Sequence, residues 1–253
     1  MAARKGHASK QRWSERKALI VMPTYNEIEN IQAILEAIHR VTPQVHVLIV
    51  DDGSPDGTDE VVRERMRYDD HIFLLQRGEK KGLASAYLDG FAWALARDYE
   101  RILEMDADFS HEPTYLPAML AAAEDADVVV GSRNIEGGGV LDWPWYRQAL
   151  SWAGSAYARA ILQVPVRDVT AGFMCYRRSA LEQIPLKDVQ ARGYVFQVEM
   201  KYLAHRAGLR IVEVPILFKD RSLGTSKMSG AIAREALVEI PRLRGRALTR
   251  KRR

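Results

Sequence analysis

The 253-residue sequence predicts an α/β protein with a mostly parallel sheet covered by helices on both faces. Three observations predict it. Short apolar runs alternate with stretches of helical periodicity through the first half of the chain, the pattern of successive βαβ units. No internal repeat and no Pro- or Ser-rich linker interrupts the chain, so one domain with an elaborated second half is the simplest architecture. Several of the apolar runs end on polar clusters, and ligands of open α/β sheets bind at the carboxyl ends of the strands.

The elements follow in order. ALIVM (18–22) is a short strand that stops at Pro23. EIENIQAILEAIHR then places Ile28, Ile31, Leu35 and Ile38 at helical spacing. VHVLIV (45–50) is β-branched and runs into Asp51 and Asp52, and Thr58 is the expected N-cap of the next helix. HIFLLQ (71–76) is the third strand. It is followed by a helix with Leu83, Tyr87, Phe91 and Leu95 on one face. RILEM (101–105) and DVVVG (127–131) are the fourth and fifth strands, around a helix at 116–123. Beyond residue 132 come the glycine-rich EGGGV, a helix over 145–162, a strand at TAGFMCYRR and a helix at YVFQVEMKYLAHRAG. RIVEVPI is a further strand, KDRSLGTSKMSG (219–230) a polar loop, and a last helix runs from about 231 to 243, where Pro241 should kink or end it.

Composition narrows the class. A single cysteine, Cys175, excludes an internal disulfide framework and points to a reducing compartment. No uncharged apolar run approaches the ~20 residues needed to cross a bilayer, and the basic N-terminus has no apolar segment of signal type behind it. Residues 1–17 read as a disordered basic arm, 18–243 as the single domain, and 244–253 as a basic tail suited to solvent or anionic lipid.

Chemistry is concentrated at strand ends: PTYNE, DDGSPDGT, MDADFSHEP and GSR. DDGSPDGT fits the first six positions of a calcium loop, but Arg63 stands where the bidentate glutamate belongs, so no EF-hand forms. GEKKG lacks a P-loop ending, and neither a dinucleotide fingerprint nor a G-x-S-x-G elbow is present. Asp106 and Asp108, one residue apart at a strand end, suit a hard cation such as Mg²⁺ or Mn²⁺. Magnesium takes only one or two protein carboxylates and finds its other ligands on phosphates and water. The pair therefore points to a metal that arrives with a diphosphate, as in a nucleotide-sugar site.

PTYNEIENI, VDDGSPDGT, GLASAYLDGF, MDADFSHEP, GSRNIEGGGV, DVTAGFMCYRR, GYVFQVEM, EVPILFKDR and GTSKM occur in this order from about residue 18 to residue 230. Together they resemble the dolichol-phosphate (polyprenol-phosphate) mannosyltransferases, inverting glycosyltransferases of family 2 with the GT-A fold. Ala84 stands where a glycine is common in that family, and Met174 where an arginine is common.

The resemblance implies a Rossmann-like nucleotide-diphospho-sugar transferase that moves mannose from GDP-mannose to a polyprenyl monophosphate. It implies that Pro23, Tyr25 and Glu27 hold the nucleoside, with Val50 and Asp52 beside base and ribose. Asp106, Ala107 and Asp108 would face the diphosphate, with Asp108, Ser110 and the nearby Asp106 as metal ligands. Arg133 and Arg147 would bind phosphate, and Arg221 and Lys227, on a mobile loop, would close over the substrates. The implied catalytic set is Asp106, Asp108, Arg133, Arg221 and Lys227.

Such an acceptor is already an anion near neutral pH and needs cationic positioning rather than a strong general base. The implied partners are the nucleotide-sugar, the lipid, the cytoplasmic face of a membrane and a membrane-anchoring subunit, with no nucleic acid. Donor choice stays open between GDP-mannose and a UDP-sugar such as UDP-glucose. His111 reads as a cap for the following helix. The stretch 145–162, with Trp145 and Trp152, reads as a core-facing helix or as one lying at a membrane surface.

Overall fold

The computed structural model describes residues 17–191, 193, 195–219 and 230–250; in the last helix, side chains are described from 236 to 246. The first half builds β1 (Ala18–Thr24), α1 (Ile31–Val41), β2 (His46–Asp51), α2 (Thr58–Met66), β3 (Ile72–Gln76), α3 (Leu83–Leu95), β4 (Arg101–Glu104), α4 (Leu116–Ala122) and β5 (Val128–Ser132). The second half adds β6 (Gly139–Val140), α5 (Trp145–Leu162), β7 (Met174–Arg177), α6 (Arg178–Gln183), α7 (Val195–Arg206), β8 (Ile211–Pro215), β9 (Leu217–Phe218) and α8 (Gly230–Arg250).

Among the described residues, seven strands form one sheet in the order β3-β2-β1-β4-β7-β5-β8, and β6 pairs with β9 beside it. Every pairing in the large sheet is parallel except those of β7, which runs antiparallel between β4 and β5. The carboxyl ends of β1, β2, β4 and β5 therefore open on one edge, and the strand order reverses between β1 and β4, where ligands of such sheets bind.

Both faces of the sheet are buried. Leu19, Val21, Leu48 and Val50 pack in one core with Tyr87 and Phe91 of α3 and with α7. Ile20, Met22, Val47 and Ile49 pack in the other with Ile31, Ile34, Leu35 and Ile38 of α1. The switch of face at each residue is the period of a strand, and each fully buried aliphatic or aromatic side chain contributes about 1.5–3 kcal/mol. The fit between α3 and β1 leaves no room for a methyl at Gly90, whose added Cβ would strike the Val21 side chain.

Several expectations are corrected. β1 continues through Pro23 to Thr24. β1 and β4 stay paired only as far as Val21↔Glu104, so β4 has left the ladder where the missing proline N–H would have donated. Ile28 precedes α1 and is exposed, and Leu83 is exposed as well. Thr58 is not the cap of α2; its N–H donates to Asp56 Oδ1 at 3.0 Å, so Asp56 caps from outside the helix. α5 is not core-facing over most of its length, since only Ser155, Ala158 and Leu162 are buried.

Pro241 does not end the last helix, which runs on to Arg250 and draws residues 244–250 out of the expected tail. A proline leaves the carbonyl four residues earlier without its helical donor. That carbonyl, on Leu237, accepts a 2.9 Å bond from the Tyr157 hydroxyl of α5 instead.

Candidate active site at the carboxyl edge of the sheet

The turn after β2 is held by its own carboxylates. Buried Asp51 accepts from Thr24 Oγ1 (2.8 Å), Ser54 Oγ (2.6 Å) and the backbone N–H groups of Gly53 and Ser54. Asp56 accepts from the N–H of Ile28 and from the N–H and hydroxyl of Thr58. Burial works to raise its carboxyl pKa, but these hydrogen bonds hold it below the ordinary value.

Asp52 reaches Gly82 N–H (3.0 Å) and the guanidinium of Arg77, whose Nε lies 2.6 Å away. Arg77 also donates to Ser85 and Asp89 of α3. Arg77 carries no local sequence signal for this role, since it lies between the DDGSPDGT turn and α3 and meets Asp52 only in the fold. Tyr25 lies under Lys80, with Nζ 3.6 Å from the ring centroid, so Lys80 joins this part of the site as well. Glu27 instead faces the start of α1, accepting from Asn30 Nδ2 at 3.0 Å. Pro23 and Val50 are opposite each other in the β1–β2 register.

The acidic turn after β4 is tightly wound. Phe109 takes a left-handed backbone conformation (φ 60°), unusual for a bulky residue and typical of constrained functional turns. Asp106 accepts from Tyr87 hydroxyl at 3.1 Å through Oδ1 and leaves a third of its side chain exposed. Burial first, and then the Asp106 charge, hold the Tyr87 phenol well above its ordinary pKa, so it stays a neutral donor.

Ala107, Asp108 and Ser110 are buried, and Asp108 Oδ1 accepts the Ser110 N–H at 3.0 Å. His111 does not cap the following helix. It is buried, stacks on Phe173 at 5.1 Å, and its Nδ1 accepts the Asp106 N–H at 3.0 Å, fixing the turn from behind. Among the described residues no group of three or more His, Cys, Asp or Glu side chains could hold a metal ion by themselves. Two carboxylates and a serine form an oxygen donor set that fits a hard cation bringing its remaining ligands with it.

A cationic cluster follows β5. Arg133 forks onto Asp168 (Nε–Oδ2 2.7 Å, Nη2–Oδ1 2.8 Å) and donates to Thr170 Oγ1 at 2.9 Å. Burial opposes ionisation of Asp168, but the Arg133 charge and hydrogen bonds hold its carboxyl below the ordinary range. Arg147, in the first turn of α5, lies 4.0 Å from the Trp143 ring centroid, and Arg133 lies 5.9 Å from the same ring. The indole Nε1 of Trp143 is buried with no hydrogen-bond partner among the described residues.

Phe218 joins the two halves: its ring lies 6.0 Å from His111 and 5.3 Å from the Arg133 guanidinium. Gly138 closes the loop against Ser132 and Arg133, where any Cβ would collide with backbone. Arg221 and Lys227 lie outside the described residues.

Beneath the site lies a buried polar network. Glu104 accepts from Tyr176 hydroxyl at 2.9 Å and from Gln197 Nε2. Lys201, fully buried, donates to Ala171 carbonyl at 2.6 Å and to Gln197 carbonyl at 3.3 Å. Its ammonium is placed to offset both Glu104 and Asp168.

The sheet order reverses at β1/β4 with paired carboxylates at that point, and the family match and fold likeness give the class: a nucleotide-diphospho-sugar transferase of GT-A fold. The chain belongs to glycosyl transferase family 2, whose family model matches residues 19–185. It is 46% identical over 226 residues to the undecaprenyl-phosphate mannosyltransferase of Micrococcus luteus, covering 89% of this chain and 93% of that one. It is also 46% identical over 234 residues to the polyprenol monophosphomannose synthase of Mycolicibacterium smegmatis, covering 91% and 88%. Glucosyl-3-phosphoglycerate synthase from Mycobacterium tuberculosis, solved with Mn²⁺, UDP and glucosyl-3-phosphoglycerate, shares the fold with a TM-score of 0.69 at 16% identity, covering 96% of this chain and 87% of that chain.

Proposed function

We propose that this chain transfers mannose from GDP-mannose to a polyprenyl monophosphate, with inversion at the anomeric carbon. The observation that carries the proposal is the pairing, across His111 and Phe218, of an acidic turn at the sheet's switch point with an arginine–tryptophan cluster. The first suits a cation-bound diphosphate and the second a phosphate monoester. Both relatives are enzymes named for mannosyl transfer to, or a mannose product on, a polyprenyl phosphate.

Asp106, Asp108 and Ser110 would hold Mg²⁺ or Mn²⁺, which when bound supplies charge neutralisation for the departing nucleoside diphosphate. The chain's own residues do the rest by placement. Tyr87 and His111 hold Asp106 from its side chain and its backbone. In this reading Pro23, Tyr25, Glu27, Val50 and Asp52 border the nucleoside, and Arg77 and Lys80 brace Asp52 and Tyr25. Ala107 brings the turn's backbone toward the diphosphate.

Arg133, fixed by its fork to Asp168, and Arg147, carried on Trp143, would orient the acceptor phosphate without taking its charge away. The buried Trp143 N–H is a donor waiting for an acceptor oxygen. From the sequence, Arg221 and Lys227 complete the cationic set.

Among the described residues no helix is long and apolar enough to cross a membrane. α5 instead exposes Trp145, Tyr146, Leu150 and Trp152. That face suits the surface of the bilayer holding the lipid acceptor, and the proposal puts this contact at the cytoplasmic face. A membrane-anchoring subunit remains part of the proposal.

The discriminating experiment offers GDP-mannose and UDP-glucose, separately and in competition, with polyprenyl phosphate and Mg²⁺ or Mn²⁺. Mannose entering the lipid supports the proposal. Glucose alone entering it would transfer the proposal to the UDP-sugar reading.

A further inference from the structure

Near the arginine–tryptophan cluster, along α5, lies a separate cleft of about 250 Å³. Arg159 of α5 and Arg167 of the segment after it line it, with Trp152, Ser155 and Asn134 between them. Among the described residues no carboxylate lines the cleft. Among the described residues neither guanidinium has an ion-pair partner, in contrast to Arg133, which is spent on Asp168. The acidic side chain nearest in the hydrogen-bond network, Glu213, is turned to backbone: it accepts the N–H groups of Arg167 (2.8 Å) and Asp168 (3.0 Å).

The floor is preorganised. Asn134 Nδ2 stands 3.5 Å from both Ser155 Oγ and Arg167 carbonyl. Ser155 Oγ is 3.3 Å from Thr170 Oγ1, which also receives Arg133. Two exposed guanidiniums beside an indole form a cationic pocket whose complement is an oxyanion, while the Asn134 amide and Ser155 hydroxyl, committed to the Arg167 carbonyl, to Thr170 and to each other, hold its floor.

We infer that the cleft formed by Arg159, Arg167, Asn134, Ser155 and Trp152 is a second phosphate-binding site, distinct from the one assigned to the acceptor lipid. Its ligand is a phosphate group, carried either by a phospholipid headgroup beside α5 or by a free phosphate. The inference does not depend on which sugar is transferred. It needs only the cleft and its charge. Ligand contact would be felt at Arg133 through the Ser155–Thr170 hydroxyl pair.

The test titrates the full chain with inorganic phosphate by calorimetry at low and high salt, with nucleotide present and Arg147→Ala as the common background, so that neither the nucleotide site nor the acceptor-phosphate cluster reports. The background protein should bind saturably and more weakly as salt rises. Arg159→Ala/Arg167→Ala should bind phosphate at least about tenfold more weakly, the loss expected for removing charge-assisted hydrogen bonds. Arg159→Lys/Arg167→Lys should fall between the two, since lysine keeps the charge and loses the fork.

A second arm compares sedimentation with phosphatidylcholine vesicles containing or lacking phosphatidylglycerol. If the alanine variant also loses the gain given by phosphatidylglycerol, the ligand is a headgroup; if that gain is kept, it is free phosphate. Equal phosphate affinity in the background protein and the alanine variant overturns the site, whatever the vesicles show.

Discussion

Glu104 and Lys201 are both fully buried beneath the site, and each offsets part of the other's charge. Lys201, fully buried, lies within electrostatic reach of the carboxylates of both Glu104 and Asp168. Lys201→Met should therefore cost up to about 3–5 kcal/mol in urea unfolding at pH 8, where Glu104 is ionised, because it leaves a buried carboxylate uncompensated. Glu104→Gln/Lys201→Met should recover much of that loss, and a double variant as unstable as the single one would refute the coupling.

Burial, partly offset by Gln197, Lys201 and Tyr176, pushes the Glu104 carboxyl up to about 7, while an unfolded glutamate titrates near ~4.3. Between those values the folded chain holds the extra proton. This group's contribution to stability is then fully present below the lower value and is lost as pH rises toward about 7. The urea midpoint of wild type should fall from pH 5 to pH 7 more steeply than that of Glu104→Gln; parallel slopes would remove Glu104 as the cause. The Cys175 thiol, pushed up to about 12 by burial, should resist alkylation at neutral pH until the chain unfolds.

At the scale of elements, α5 and α8 depart furthest from expectation. Tyr157→Phe should cost about 0.5–1.5 kcal/mol in the same unfolding measurement, since Leu237 carbonyl would lose the donor that stands in for the Pro241 N–H. No change would mean that water replaces the hydroxyl at once.

The exposed face of α5 gives a separate prediction. Trp145→Ser/Trp152→Ser should weaken binding to vesicles at a salt concentration that screens charge, with unchanged unfolding. Unaltered vesicle binding would move the membrane contact elsewhere.

The parallel strands and their polar ends were legible because both follow from local pattern: β-branched runs and the carboxylates that end them. β7's antiparallel insertion was not, since strand direction depends on where a long connection returns. Nor was the Arg133–Asp168 fork, which joins residues 35 positions apart. His111 looked like a helix cap because its true partner, the Asp106 N–H, lies before it in the chain. Tyr87 reads as an apolar helix residue by spacing, and only the fold puts its hydroxyl on Asp106.

For the whole molecule the central claim is that the acidic turn at the β1/β4 switch point serves transfer from a sugar diphosphate to a lipid phosphate. The sheet brings Asp106 and Asp108 from the end of β4 to the same edge as Arg133 from the end of β5. Asp108→Asn keeps the oxygen that accepts the Ser110 N–H, so the turn should survive while its charge is lost. The most direct measurement follows radiolabelled mannose from GDP-mannose into polyprenyl phosphate, for wild type with and without a chelator and for Asp108→Asn. The account predicts labelled lipid with wild type, none after chelation, and transfer reduced by on the order of 10²-fold or more in a variant that unfolds like wild type. Near-normal transfer by Asp108→Asn, or by wild type in excess chelator, would contradict it.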